Sequence, residues 1–111
     1  MVFLLNNNIF MTVEYIRYKI HPDKQEAFVE AYGKAAHQLD LSEHCLAYEL
    51  TECEEEAGNF ILRIEWTSTD MHLNGFRKSK EFPEFFTLVK PFFSDIQEMR
   101  HYNATKVVKR K

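Results

Sequence analysis

The sequence predicts an α+β fold in which one antiparallel sheet carries its helices on one face. The prediction rests on the order of the patterns along the chain, which is strand, helix, strand, strand, helical pair, strand. In this βαββαβ order, a sheet with one apolar face is covered by amphipathic helices, so that two layers share one core. A chain of 111 residues has the size of one domain, so we expect a single core.

Four stretches show the two-residue alternation that is typical of half-buried strands. Strands are predicted at Thr12–Ile20 and Cys45–Glu52, and the acidic turn at Glu54–Gly58 joins the second strand to a third in an antiparallel hairpin. A final strand is predicted from Ile96, which alternation places on one face with Glu98, Arg100 and Tyr102. The clearest alternation is in the third strand, where four apolar side chains share one face: Phe60, Leu62, Ile64 and Trp66.

The helices are predicted from apolar residues that recur at intervals of three and four. The first begins near Pro22, and its stripe consists of Phe28, Ala31, Tyr32, Ala35 and Leu39. A short helix follows the hydrogen-bonding cluster Thr67–Asp70 and should present His72, Phe76 and Ser79 along one side. A last helix contains Phe82, Phe85, Phe86 and Val89 and ends at Pro91.

Composition excludes several classes of partner. The net charge of −3 gives no general attraction to nucleic acid or to an anionic membrane. An aromatic fraction of 14% indicates a roomy apolar pocket, an apolar subunit interface or a phenylalanine-rich core that binds nothing. Cys45 and Cys53 should lie about 26 Å apart on one strand and therefore stay free thiols. Without a disulfide framework or a secretory signal, we expect a cytoplasmic protein.

The chain divides into an arm, a domain and a tail. Residues 1–10 are interrupted by three asparagines and are predicted to be an appended arm, neither signal peptide nor membrane span. The domain covers 11–102, and 103–111 form a basic tail with too few cations to indicate nucleic-acid binding. The histidines are scattered without the spacings typical of metal ligands, so no metal site is predicted.

The second face of the sheet also carries apolar side chains. Val13, Tyr15 and Ile61 fall on this open face, and exposing them together would leave an apolar patch on a monomer. Packing of two sheets face to face would bury the patch, so we expect a homodimer. Arg63 and Glu65 lie on the same face, either in this second contact surface or in solvent.

The segment CLAYELTECEEEAGNFILRIEWTSTDMHLNGFRKSKEFPEFF resembles the antibiotic biosynthesis monooxygenase domain, and the similarity extends over about Met11 to Tyr102. The resemblance implies a ferredoxin-like sheet in a dimeric α+β barrel. Members similar in outline are cofactor-independent oxygenases of quinols and polyketide aromatics, haem-degrading oxygenases, and proteins without known activity. Many members carry a histidine three residues before the serine matched by Ser79, whereas this chain has Phe76 there and its histidine a turn earlier, at His72.

The resemblance therefore implies a cofactor-independent monooxygenase acting on a small electron-rich aromatic such as a quinol or polyketide. No flavin or nucleotide fingerprint is present, so no cofactor is expected. The alternative is a non-catalytic dimeric module that binds a small apolar ligand or supports a haem protein or oxidase. In the enzyme, His72 is the candidate base, and Tyr48 or Arg77 is the candidate hydrogen-bond donor. Four further residues either line the pocket or belong to the core without contacting a ligand: Trp66, Phe76, Phe28 and Tyr32.

Overall fold

The structure of the protein, a computed structural model, describes residues 11–111. The predicted amino-terminal arm, residues 1–10, lies outside the described residues. Four strands and two α-helices form the domain: β1 Thr12–Lys19, α1 Gln25–Leu41, β2 Cys45–Glu52, β3 Asn59–Trp66, α2 Phe82–Val89 and β4 Ile96–Asn103. The strands form one sheet in the order β2-β3-β1-β4, and every neighbouring pair is antiparallel. This confirms the predicted α+β fold.

The core lies between the sheet and the two helices. The apolar face of β3 is buried as its alternation predicts, and β1 contributes Ile16 and Tyr18 beside it. From α1 the same core receives Phe28 and Tyr32, and from α2 it receives Val89. Burial of these large side chains contributes about 1.5–3 kcal/mol each, and it fixes which face of the sheet the helices cover.

A bulge in β4 corrects one detail of the predicted alternation. Tyr18 is paired with Ile96, whereas Arg17 is paired with Glu98, so Gln97 is the extra residue. Ile96 consequently faces the helices, on the side opposite Glu98. The strand resumes its alternation beyond the bulge, which leaves Met99 and His101 on the helix side because they are paired with Ile16 and Glu14.

The short helix predicted after β3 is irregular. Ser68 Oγ accepts a hydrogen bond of 3.0 Å from the backbone N–H of Met71 and so starts the segment as a cap does. Met71–Gly75 then form one π-helical turn, and Phe76–Lys78 form a 3-10 turn. A π turn is a one-residue expansion of an α-helix and often occurs at functional sites. Here it buries His72 and Phe76 together against the end of β3.

The open face of the sheet is only partly apolar, and Val13, which was expected to be exposed there, is only 7% exposed and so already buried within one chain. Tyr15 and Tyr102 form an edge-to-face pair with ring centroids 5.3 Å apart, and Ile61 is 40% exposed beside them. Arg63 donates hydrogen bonds to Tyr15 Oη at 3.2 Å and to Glu65 at 2.6 Å. Arg63, Glu65 and the hydroxyl group of Tyr15 are therefore joined in one hydrogen-bonded network.

Two further expectations concern cysteines and membranes. Cys45 at the start of β2 and Cys53 just beyond its end are both free thiols, as predicted from their spacing. Within residues 11–111, no helix combines the length and apolar character needed to cross a bilayer.

Candidate functional site

A cavity of about 230 Å³ lies between the sheet and α2. Aromatic and aliphatic side chains form most of its wall, and the ionisable residues Glu14, His72 and Arg77 form a polar end. The larger set of apolar wall residues includes Trp66, Phe76, Phe82, Phe85, Phe86, Val89, Ile96 and Met99. An apolar cavity with a few convergent polar groups is the usual form of a small-molecule site.

The polar end is built around Glu14, a carboxylate that is only 2% exposed. Glu14 lies on the helix side of β1 because it alternates with Ile16 and Tyr18. Trp66 Nε1 donates a hydrogen bond of 3.0 Å to Glu14 Oε1. The same oxygen lies 3.6 Å from His72 Nε2. A buried carboxylate needs such partners because desolvating an ionised group is costly.

His72 lies flat against the indole ring of Trp66. The two ring centroids are 4.5 Å apart and the planes differ by 11°. The π turn places His72 above Trp66, and the next 3-10 turn places Phe76 against the same indole at 5.1 Å. The imidazole is thus held by stacking on one side and by polar contacts at its two nitrogens.

His101 completes the polar end from β4. Its Nε2 lies 2.7 Å from Nδ1 of His72, within hydrogen-bonding distance. It is paired with Glu14 across the sheet, which places both side chains on the helix side. His101 is partly exposed, unlike Glu14 and His72, and it does not line the cavity itself but contacts His72, which does.

Burial sets the protonation of this group. Desolvation raises the pKa of Glu14, and the hydrogen bond from Trp66 and the charge of Arg77 oppose that rise. Burial lowers the pKa of His72 to about 3, with smaller contributions from Arg77 and His101. Burial and Arg77 also lower the pKa of His101. Both imidazoles are therefore neutral near pH 7, and the contact between His72 and Glu14 is not an ion pair there.

Two tyrosines form a second polar point of the cavity wall. The hydroxyl groups of Tyr18 and Tyr32 are hydrogen-bonded to each other in the buried core. Burial raises the pKa of Tyr18 to about 12, and it raises the pKa of Tyr32 as well. Neither phenol ionises near neutral pH, so the pair offers neutral hydroxyl groups to the cavity.

The cavity brings together five of the seven residues singled out from the sequence, namely His72, Arg77, Trp66, Phe76 and Tyr32. The structure places the other two elsewhere. Tyr48 lies on β2, where its hydroxyl donates a 2.7 Å hydrogen bond to Asp40, and it does not line this cavity. Phe28 is fully buried and packs against Tyr18 and Phe60 as part of the core.

Sequence reasoning missed Glu14 and His101. The signal for Glu14 was present, since it is the one charged residue on the face of β1 that alternation buries. For His101 the signal was weaker, because its role depends on pairing with β1 and on contact with a residue 29 positions earlier.

Comparison with known sequences identifies the family. The sequence model of the antibiotic biosynthesis monooxygenase family matches residues 11–88, which is most of the chain. The chain belongs to the antibiotic biosynthesis monooxygenase family. The matched region contains β1, Trp66, His72 and Arg77, whereas His101 lies beyond it.

Relatives of this monooxygenase family member are distant in sequence and close in fold. The uncharacterized Bacillus subtilis (strain 168) protein YczJ is 27% identical over 78 residues, which are 70% of this chain and 82% of that protein. A conserved protein from Methanosarcina mazei Go1 superposes with a TM-score of 0.76 at 17% identity, covering 90% of this chain and 98% of that one. SnoaB, a cofactor-independent oxygenase from Streptomyces nogalater, superposes with a TM-score of 0.70 at 12% identity, covering 90% of this chain and 98% of SnoaB. The two structural similarities establish the fold.

The contact between Trp66 and Glu14 can be measured by a double-mutant cycle. Trp66→Phe removes the N–H donor, and Glu14→Met removes the acceptor. Because a hydrogen bond to a charged group contributes about 1.5–3 kcal/mol, we expect a coupling free energy of that size in urea unfolding. Glu14→Gln keeps an oxygen acceptor and should show a smaller coupling with Trp66→Phe. The contact would be contradicted if the loss of unfolding free energy in the double variant equalled the sum of the losses in Trp66→Phe and Glu14→Met to within about 0.5 kcal/mol.

Proposed function

We propose that this protein is a cofactor-independent monooxygenase that acts on a small electron-rich aromatic compound such as a quinol or polyketide. The observation that carries the proposal is the apolar cavity with its ionisable groups confined to one end. Membership of the antibiotic biosynthesis monooxygenase family and the fold shared with SnoaB, a cofactor-independent oxygenase, support the same reaction class. Fold similarity alone does not determine activity, so the argument rests on the site.

The size of the cavity favours a small substrate. A cavity of about 150 Å³ accommodates benzene, so about 230 Å³ suits one or two fused rings. Trp66 and Phe76 offer faces and edges against which a planar ring can stack. Among the proposed substrates, a benzoquinol or naphthoquinol therefore fits the volume better than a polyketide of three or four rings.

The polar end fits the first step of such a reaction. A substrate hydroxyl or acidic C–H must lose a proton before the ring can transfer electrons to O₂. Burial makes His72 a weak base, with a pKa of about 3, and the Glu14 carboxylate 3.6 Å from its Nε2 would stabilise the imidazolium that accepts that proton. When Nδ1–H of His72 donates to His101, Nε2 of His72 keeps its lone pair. Arg77 lines the same cavity, and its positive charge would stabilise the substrate anion.

The reaction balances without an added reductant. A quinol and O₂ give a hydroxyquinone and water, so one ring C–H bond, both phenolic O–H bonds and the O–O bond break, while one ring C–O bond and three O–H bonds form. The ring supplies all four electrons that O₂ accepts. One oxygen atom remains in the product as the new hydroxyl group, and the other leaves as water. The apolar wall keeps other water away from the anion.

Oxygen uptake tests the proposal. The purified protein, in buffer with EDTA and no added flavin or nicotinamide, should consume oxygen with at least one member of a panel of benzoquinols and naphthoquinols. His72→Gln should lower the rate by about 10²-fold or more, because general bases contribute that much. His37→Gln, an exposed substitution on α1, is the matched control and should leave the rate unchanged.

Two outcomes would count against the proposed reaction. Saturable quinol binding without oxygen uptake would instead favour the non-catalytic binding module. Uptake that is equal in wild type and His72→Gln would remove His72 as the base.

We also propose a homodimer formed through the open face of the sheet. Its support is the exposed patch of Tyr15, Ile61 and Tyr102, which are 37%, 40% and 47% exposed. Two such faces packed together would bury the aromatic pair and Ile61 in one apolar centre.

The free thiols of Cys45 and Cys53 are consistent with a reducing compartment, and we propose the cytoplasm.

The dimer predicts a defined effect of charge on the open face. Light scattering of the wild type should give twice the chain mass of 13.3 kDa. Ile61→Lys places a charge at the centre of the interface and should shift the mass toward that of one chain. Val29→Lys changes a residue that is 48% exposed on α1, on the helix side, and should leave the mass unchanged. A wild-type monomer, or a variant Ile61→Lys that remains fully dimeric, would contradict this interface.

A further inference from the structure

The carboxylate of Glu14 is buried without a lysine or arginine paired to it. Within residues 11–111 its nearest basic group is His72 at 3.6 Å, which is longer than a hydrogen bond. Arg77 acts on Glu14 only through its field. A buried carboxylate in such surroundings either takes up a proton or binds a cation.

The two imidazoles beside Glu14 supply further donor atoms. One oxygen of Glu14, one nitrogen of His72 and one nitrogen of His101 all lie within 4.8 Å of one another. Ligand atoms held about 2.0–2.2 Å from a metal ion are roughly 3.0–3.5 Å apart when adjacent and about 4.2 Å apart when opposite. The bound of 4.8 Å lies slightly above the widest of these values, so small side-chain shifts that turn one nitrogen of His72 toward both Glu14 and His101 would allow all three donors to bind one ion.

We propose that Glu14, His72 and His101 form a binding site for one divalent transition-metal ion. Two imidazoles and one carboxylate prefer ions such as Zn²⁺, Co²⁺ or Fe²⁺, whereas Mg²⁺ and Ca²⁺ prefer sites made of oxygen ligands. The three ligands come from β1, the π turn and β4. Because the ligands lie on three separate elements, they form no regular spacing in the sequence. The spacing of the histidines therefore predicts no metal site.

Neighbouring groups support the three ligands. The hydrogen bond from Trp66 Nε1 holds the carboxylate of Glu14, and the indole ring stacked on His72 holds the imidazole plane. Such outer contacts orient metal ligands in known sites. The partly exposed His101 provides a path of entry for the ion.

Arg77 determines what else the loaded site would bind. The formal charges of the ion, Glu14 and Arg77 are +2, −1 and +1, so the loaded site would carry a total charge of +2. Arg77 weakens cation binding by repulsion. The excess positive charge at the end of an apolar cavity favours an anionic aromatic ligand, such as a phenolate, on the open side of the ion.

This inference does not depend on the proposed oxygenase activity. A metal ion and a substrate proton compete for the same lone pair of His72. His72 therefore cannot act as the base while the site holds a metal ion. The assay with EDTA tests the oxygenase without metal, and the following experiment tests the metal site without substrate. Either proposal can fail while the other stands.

Titration of the chelator-treated full-length protein with Co²⁺ and with Zn²⁺ tests the site. Calorimetry should show one equivalent bound per chain, and the visible spectrum of Co²⁺ should change to that of a protein-bound ion. His101→Ala removes a partly exposed ligand and should weaken binding by about tenfold or more. Glu14→Gln, which removes the charge but keeps the shape, should weaken it as well.

Matched controls exclude adventitious binding. His37→Ala removes an exposed histidine, and Cys53→Ser removes an exposed thiol, and both should bind the ions as the wild type does. Circular dichroism checks that each variant is folded, and His101→Asn serves as a second test if His101→Ala is not. A wild type that binds no full equivalent, or an affinity that is unchanged in both Glu14→Gln and the folded His101 variant, would overturn the proposal.

Discussion

The burial of one carboxylate constrains the functional end of this domain. Glu14 lies on the face of β1 that the fold must cover with helices, and 2% exposure leaves it almost without water. The indole N–H of Trp66 and the ring of His72 meet it from β3 and from the following π turn. Because an unsatisfied buried charge would cost several kcal/mol, these contacts fix how the segment after β3 is placed. The cavity between that segment and α2 follows from this placement.

The fold was largely predictable because its signals are local. The alternation of Phe60, Leu62, Ile64 and Trp66 defines β3 without knowledge of any neighbour, and helical periodicity defines α1 in the same way. The bulge at Gln97 was not predictable, because it depends on how β4 pairs with β1. The π turn at Met71–Gly75 was not predictable either, because the spacing of His72 and Phe76 fits a regular helix equally well.

The site was predictable only in part. Trp66 and His72 are close in sequence, so strand and helix periodicity could bring them together. Glu14 and His101 join them across 52 and 29 positions, and such contacts depend on strand order and register. The sequence also suggested Tyr48 as a donor, but its strand turns the hydroxyl toward Asp40. Alternation identifies a buried face, whereas only the packed helices decide which part of that face borders a cavity.

The central claim is that a planar aromatic ligand binds in the cavity beside Trp66. The chain has one tryptophan, and it lines the cavity, so its fluorescence reports directly on occupancy. A titration with naphthohydroquinone under nitrogen should quench this emission with a saturable one-site curve, whereas free tryptophan should be quenched in proportion to concentration. Quenching of the protein that rises without saturation, as for free tryptophan, would show that the cavity does not bind the ligand and would contradict the account.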